Sequence, residues 1–274
     1  MKVTALLENK ALSSQYDSKH RLCIHIKTEK YNILFDVGPN NLFIKNAIKL
    51  NIDISEVDIV VISHGHKDHG GGLKEFLKVN DKAKIYIHKN AFDKYYSNVL
   101  GVFKYYIGLD RTLRESDRII LVDDFYKIDD ELIIFSKISS NKMIPTSNKN
   151  LYVKEGNLFV NDKFNHEQNL IITSDNKSYL FAGCAHRGIV NILEEAEDIT
   201  EKSIDFVIGG FHLFNPIFSK YVNVELINDI GKYLGSKKSI YYTCHCTGEK
   251  AYEQLKEILH DQINYLCSGQ VISI

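Results

Sequence analysis

The chain is expected to be an α+β protein built of two sheets with helices on their outer faces. Three observations predict this. Residues 31–88 run strand, helix, strand, helix, strand. Short β-rich runs bounded by turn residues recur in both halves. Three clear helical patterns then interleave with the strands after residue 186.

The elements follow in order. KVTALLEN, RLCIHIKT and YNILFDVG are rich in β-formers, and RLCIHIKT alternates with period two, as a half-buried strand does. DVGPNN is a turn. LFIKNAIKLNI has apolar residues at 42, 43, 44, 47, 48 and 50, the spacing of a helix face. VDIVVIS is continuously apolar and predicts a strand buried on both sides. GGGLKEFLKVN reads as a helix and AKIYIHKN as a strand. Residues 89–118 are rich in Tyr, Phe and Lys and have no clear assignment. Strands are expected at RIILVDD, ELIIFSKIS, NLFVND, NLIITSDN and KSYLFAG. RGIVNILEEAEDI is a helix and DFVIGGF a buried strand ending in glycines. NVELINDIGKYLG and GEKAYEQLKEILH are helices, KSIYYTCHCTG is a strand between them, and INYLCSG and QVISI close the chain.

Composition bounds the function. With 44% hydrophobic and 25% charged residues the chain is of soluble globular type. A formal net charge of -1 gives no bulk attraction to nucleic acid or an anionic membrane, so neither is expected as a partner. The first residues carry Glu8 and Lys10 and resemble neither a signal peptide nor an anchor. No apolar run approaches the ~18 residues of a membrane span, so a cytoplasmic protein is expected. In such a reducing compartment the five cysteines are thiols or metal ligands rather than a disulfide framework.

The stretch VVISHGHKDHGGGL carries the chemistry. Three of the chain's eleven histidines and an aspartate fall within six residues, after a buried strand and before a glycine turn. On an extended segment His64 and His66 point to one side. Asp68 and His69 follow where the chain leaves the strand. Neutral imidazole and carboxylate suit Zn²⁺, Mn²⁺ or Fe²⁺. Two pairs of ligands fit two adjacent ions.

His64-x-His66-x-Asp68-His69 resembles the signature of the metallo-β-lactamase superfamily. ILFDVG resembles that superfamily's strand ending in Asp-x-Gly, which would put Asp36 beneath the metal loop. FAGCAHRGIVNI, IGGFHL and CHCTG resemble a subgroup named for a dihydropterin ribofuranosyl-aminobenzene phosphate synthase. DSKHRLCIHI is similar to that subgroup's N-terminal segment, with Arg21 and Cys23 departing from it. The resemblance covers nearly the whole chain and is weakest at residues 89–165.

The resemblance implies one domain over residues 1–274, a four-layer αββα sandwich with its site at one edge between the sheets. A Tyr-rich lid or insertion would lie at about 89–118. It also implies further ligands. His245 is the candidate for the last one, and alternation along its strand would put Cys244 and Cys246 on the opposite side. Cys184 stands where the superfamily has a bridging aspartate. The third histidine is either His186, in the subgroup's own GCAH motif, or His166, one hairpin before Cys184. His212 is expected to face substrate and His20 to line the same cleft. His25, His88 and His260 receive no role.

The implied function is a metal-dependent hydrolase with two zinc ions, or manganese or iron. It would act on a small-molecule phosphoester or ester-like bond, the substrate being phosphorylated or pterin-like. Asp68 would orient the nucleophile, and His212 would donate a proton or stabilise charge. Tyr95, Tyr96, Phe103, Tyr105 and Tyr106 would either stack on a flat ring or form the buried side of a helix pair. The alternatives are a synthase-like transferase, di-iron redox chemistry, or a non-catalytic metal or ligand sensor. Redox relatives carry Glu where this chain has His66, which favours hydrolysis.

Overall fold

A computed structural model describes residues 1–18, 20–99 and 103–274. Residue 19 of the DSKHRLCIHI stretch and residues 100–102 of the Tyr-rich segment lie outside the described residues. In chain order the elements are β1 (Lys2–Leu7), β2 (Cys23–Lys27), β3 (Asn32–Phe35), α1 (Leu42–Lys49), β4 (Ile59–Ile62), α2 (Lys67–Gly70), α3 (Leu73–Val79), β5 (Lys84–His88), β6 (Tyr95–Val99), β7 (Phe103–Tyr106) and β8 (Ile119–Val122). There follow β9 (Phe125–Lys127), β10 (Leu132–Phe135), β11 (Leu151–Glu155), β12 (Leu158–Asn161), β13 (Asn169–Ser174), β14 (Lys177–Ala182), α4 (Ile189–Thr200) and β15 (Phe206–Gly209). The chain ends with β16 (Phe214–Asn215), β17 (Lys220–Tyr221), α5 (Val224–Gly235), β18 (Ile240–Thr243), α6 (Glu249–Leu259), β19 (Ile263–Tyr265) and β20 (Val271–Ser273). The class is α+β, as expected.

The chain forms two compact units. The first comprises Met1–Asp124, Leu151–Gln168 and Cys267–Ile274. Its main sheet runs β20-β1-β2-β3-β4-β5-β8. β3, β4, β5 and β8 are parallel, so β4 has a neighbour on each edge and is buried along its length. This is why IVVI needs no polar alternation. Helix α1 turns Phe43 and Ala47 into a core with Leu6, Leu34, Val60 and Phe76. Each such side chain contributes about 1.5–3 kcal/mol when fully buried.

The Tyr-rich segment is not a helix pair. β6 and β7 form an antiparallel ladder, continued by β11 and β12 into a four-stranded sheet. Tyr95 is buried, whereas Phe103, Tyr105 and Tyr106 are exposed. Tyr, Phe and Val suit a pleated surface better than a helix, but the local pattern lacks the period-two alternation that would have shown it.

The second unit comprises Phe125–Asn150 and Asn169–Leu266. Its sheet runs β19-β18-β15-β14-β13-β10-β9, with β14, β15, β18 and β19 parallel. Helices α4, α5 and α6 supply Ile189, Leu193, Ile230 and Leu255 to its core. Asn223 caps α5 by accepting the Leu226 N–H. No helix among the described residues is long and apolar enough to cross a membrane.

Candidate metal centre

In the first unit the ligand-type residues sit on the loop that leaves β4. Asp36, just after β3, lies under it. Its Oδ1 accepts the Ser63 N–H at 2.7 Å, and its Oδ2 accepts the Ser63 hydroxyl at 2.8 Å. The same Oδ2 accepts from His69 Nδ1 at 2.6 Å. Asp36 has φ 62, an uncommon conformation that aspartate tolerates better than most residues. A carboxylate only accepts, so His69 carries its proton on Nδ1 and keeps the Nε2 lone pair for a ligand. Nε2 lies 3.6 Å from Asp68 Oδ2. His64 follows the same logic. Ser63 Oγ gives its proton to Asp36 and lies 2.9 Å from His64 Nδ1, which therefore donates.

The His64 ring is 4.5 Å from that of His66 and 4.1 Å from that of His69, centroid to centroid. Burial, reinforced by His166 nearby, pushes the His66 imidazole down to about 3. His66 is thus neutral at physiological pH, the form that ligates metal. Asp68 is more open, and His20 Nε2 lies 3.9 Å from its carboxylate.

His166 belongs to the scaffold of this loop. Its Nδ1 accepts the Gly65 N–H at 2.9 Å, and its Nε2 donates to Asp162 at 2.9 Å. Both ring nitrogens are thereby committed. Tyr95 stacks on the ring with centroids 3.9 Å apart. Burial of Asp162 works to raise its pKa, but the electrostatic pull of the His166 ring and its hydrogen bond outweigh that and hold the carboxyl below its usual range. Gln168 adds a second clamp: its N–H goes to Ser63 O, and its amide donates to Ile62 O and Tyr86 O. Gly65 is required where it stands, because a Cβ there would lie 2.4 Å from Ala91 O.

The second unit carries its own cluster. Cys184 and His186 follow β14, His212 follows β15, and His245 and Cys246 follow β18. All five are buried. Their positions at the carboxyl ends of parallel strands are where open α/β sheets gather ligand-binding groups. Ligand atoms of Cys184, His186 and His212 lie within 4.8 Å of one another, and so do those of Cys184, His245 and Cys246. His186 Nδ1 lies 2.9 Å from Asn148 Oδ1, and Asn148 Nδ2 donates to His186 O at 2.8 Å. The amide oxygen fixes the Nδ1–H tautomer and leaves Nε2 as the ligating nitrogen. His212, at φ 51, packs its ring 4.1 Å from that of His186. Ser147 holds the His212 carbonyl at 2.6 Å. Gly209, at φ 147, approaches the next strand so closely that a Cβ would lie 1.8 Å from Ala182 O.

Residues 19–137 match the family model of the metallo-beta-lactamase superfamily. An uncharacterized protein of Methanocaldococcus jannaschii is 30% identical over 279 residues, covering 99% of this chain and 100% of that one. The chain belongs to the metallo-beta-lactamase superfamily. The 7,8-dihydropterin-6-methyl-4-(beta-D-ribofuranosyl)-aminobenzene-5'-phosphate synthase of the same organism is also 30% identical, over 288 residues, with 99% and 96% covered. A crystal structure of a metal-dependent hydrolase of the beta-lactamase superfamily superposes with a TM-score of 0.84 at 28% identity, covering 100% of this chain and 99% of that one. The fold is that of the metallo-beta-lactamase superfamily, whose members generally bind metal ions.

For this member of the superfamily, the structure brings His64, His66, Asp68 and His69 together on one loop, with Asp36 beneath them. It groups Cys184, His186, His212 and His245 in the second unit. It does not separate Cys246 from His245, as strand alternation predicts. β18 ends at Thr243, and His245 has φ 53 in a tight turn, so alternation has already stopped. Asn148, Ser147 and Asp162 were not singled out in the sequence. Ser147 and Asn148 lie in the short 3-10 helix Thr146–Asn150 and Asp162 just past β12, none of them in a motif, and only the hydrogen bonds they make identify them.

Proposed function

We propose that the protein is a metal-dependent hydrolase acting on a phosphoester or ester-like bond of a small molecule. The observation that carries the reading is the first loop. Three buried histidines converge there beside Asp68, and Asp36 and Ser63 fix the tautomers of His64 and His69. The donor set fits zinc, with manganese or iron as alternatives. His64, His66, Asp68 and His69 are the proposed ligands of the first unit. Cys184, His186 and His245 are those of the second, and the reading takes two ions per chain. His166 is left out of the ligand set because both its nitrogens are engaged.

A bound divalent ion would lower the pKa of water toward about 7 and supply hydroxide at neutral pH. The protein's part is orientation. Asp68 would accept a proton from the nucleophile and hold its direction. The five cysteines, none of them disulfide-bonded, support a reducing, cytoplasmic setting.

A second reading is a synthase-like transferase on a phosphorylated pterin-type substrate. The 30% identity to the M. jannaschii synthase over nearly the full chain favours it. One experiment addresses both. Metal content is measured on protein purified without added metal, alongside turnover of generic phosphoesters and esters by wild type, His64→Ala and Asp68→Asn. The hydrolase reading expects bound metal, turnover in wild type and a loss of at least about 100-fold in the variants. Activity that survives both substitutions would remove the site from the reaction. Bound metal without hydrolysis would favour the transferase.

A further inference from the structure

We propose that Cys246 is a metal ligand together with Cys184 and His245, forming a two-thiolate, one-imidazole site that prefers thiophilic divalent ions. This rests on the metal-dependent reading above and deepens it by naming the class of ion.

The geometry carries the argument. The Sγ atoms of Cys184 and Cys246 and a ring nitrogen of His245 lie within 4.8 Å of one another, and all three residues are buried. A tetrahedral zinc with Zn–S near 2.3 Å and Zn–N near 2.0–2.1 Å spaces its ligands about 3.5–3.8 Å apart. Contraction of at most about 1.3 Å therefore closes the set. These three protein ligands leave a fourth position, open to His186, the remaining second-unit ligand of the proposed set, or to water.

The local backbone is built for this. Cys244 is extended at φ -163, and His245 is left-handed at φ 53. This pair of conformations swings Cys246 round to the side of His245. Gly210 makes room for the sulfur, since a Cβ there would lie 2.5 Å from Cys246 Sγ. The Sγ accepts the His212 N–H at 3.2 Å, which fixes its position beside the His212 backbone. As a thiol the same group points at Cys184 O, 3.6 Å away. Binding an ion therefore replaces two S–H bonds with two sulfur–metal bonds and releases two protons to solvent.

Thiolates select zinc over manganese or magnesium, which prefer oxygen. Where the superfamily resemblance implies a carboxylate, this chain thus has sulfur from Cys184 and a second sulfur from Cys246.

The test is cobalt(II) titration of reduced, metal-free protein, read by thiolate-to-cobalt charge-transfer absorption. Wild type should show the band. Cys246→Ser should show it at about half intensity and prefer zinc over manganese at least about 10-fold less. Cys244→Ser should match wild type. Zinc K-edge absorption on the unmutated protein, scaled by its zinc content, removes dependence on variant folding and should count two sulfurs per chain. One sulfur per chain, or full band intensity in Cys246→Ser, would overturn the proposal. Cobalt bound without any charge-transfer band would overturn it while leaving the metal-dependent reading intact. No cobalt bound at all would overturn both.

Discussion

Asp36 Oδ2 and His69 Nδ1 meet at 2.6 Å, with both side chains fully buried. The same carboxylate holds Ser63 by its N–H and its hydroxyl, so one aspartate sets the direction of two histidines. Asp36→Asn keeps the shape and tolerates φ 62, but it removes the charge and one acceptor. Metal affinity should fall about 10- to 100-fold, measured by competition with a chelator. Unchanged affinity would mean that the Asp36 contacts only support the fold.

His166 and Gly65 make a second prediction. Removing the imidazole leaves the Gly65 N–H buried without its acceptor and Asp162 Oδ2 without its imidazole donor. His166→Ala should cost about 1–3 kcal/mol in urea unfolding and leave metal stoichiometry per chain unchanged. His166→Asn, whose amide oxygen can accept the N–H, should recover part of the loss. A missing ion in His166→Ala with no change in stability would make His166 a ligand instead.

Gly65 itself should tolerate no side chain. In Gly65→Ala the new Cβ meets Ala91 O at 2.4 Å and the Tyr95 ring at 2.7 Å. Backbone cannot yield cheaply, so the loop between His64 and His66 must shift. A loss of about 1–3 kcal/mol is expected together with weaker metal binding. A stable variant with wild-type affinity would show that the loop has slack.

His88 should make the metal-free protein acid-sensitive. Its ring is buried, Nδ1 accepts the Asn90 N–H, and Nε2 has no hydrogen-bond partner. Burial, then the charge of His166, lower it from 6.5 to about 4. The unfolded chain binds the proton between those values and the folded one does not. Stability is therefore full above about pH 6.5 and is lost as pH falls toward about 4, by at most about 3 kcal/mol. His88→Gln should flatten that slope in unfolding curves taken from pH 7 to 4. An equal slope in the variant would assign the acid sensitivity to other groups.

Asn148 tests the second unit. Asn148→Ala frees His186 to adopt the other tautomer. If His186 ligates, affinity for zinc should drop about 10-fold, read by isothermal titration at constant pH. An unchanged value would remove His186 from the ligand set.

Much of this molecule was determined by its sequence. Periodicity placed nearly all of the main-sheet strands and the five longer helices, because each buries one face or both and its apolar residues recur accordingly. The motif His64-x-His66-x-Asp68-His69 was legible because four ligand types in six residues have few other uses. Asp36 was legible only through the resemblance of ILFDVG to the superfamily's strand ending in Asp-x-Gly, since a turn residue after a buried strand has other uses. The tertiary structure decided the rest. It gave His166 to Gly65, paired Asn148 with His186, and turned Cys246 to the side of His245. None of these has a local signature. Each depends on where distant backbone N–H and C=O groups fall, or on a single left-handed residue that ends strand alternation. The sheet of β6, β7, β11 and β12 was hidden for the same reason, since cross-strand partners far apart in the chain define it.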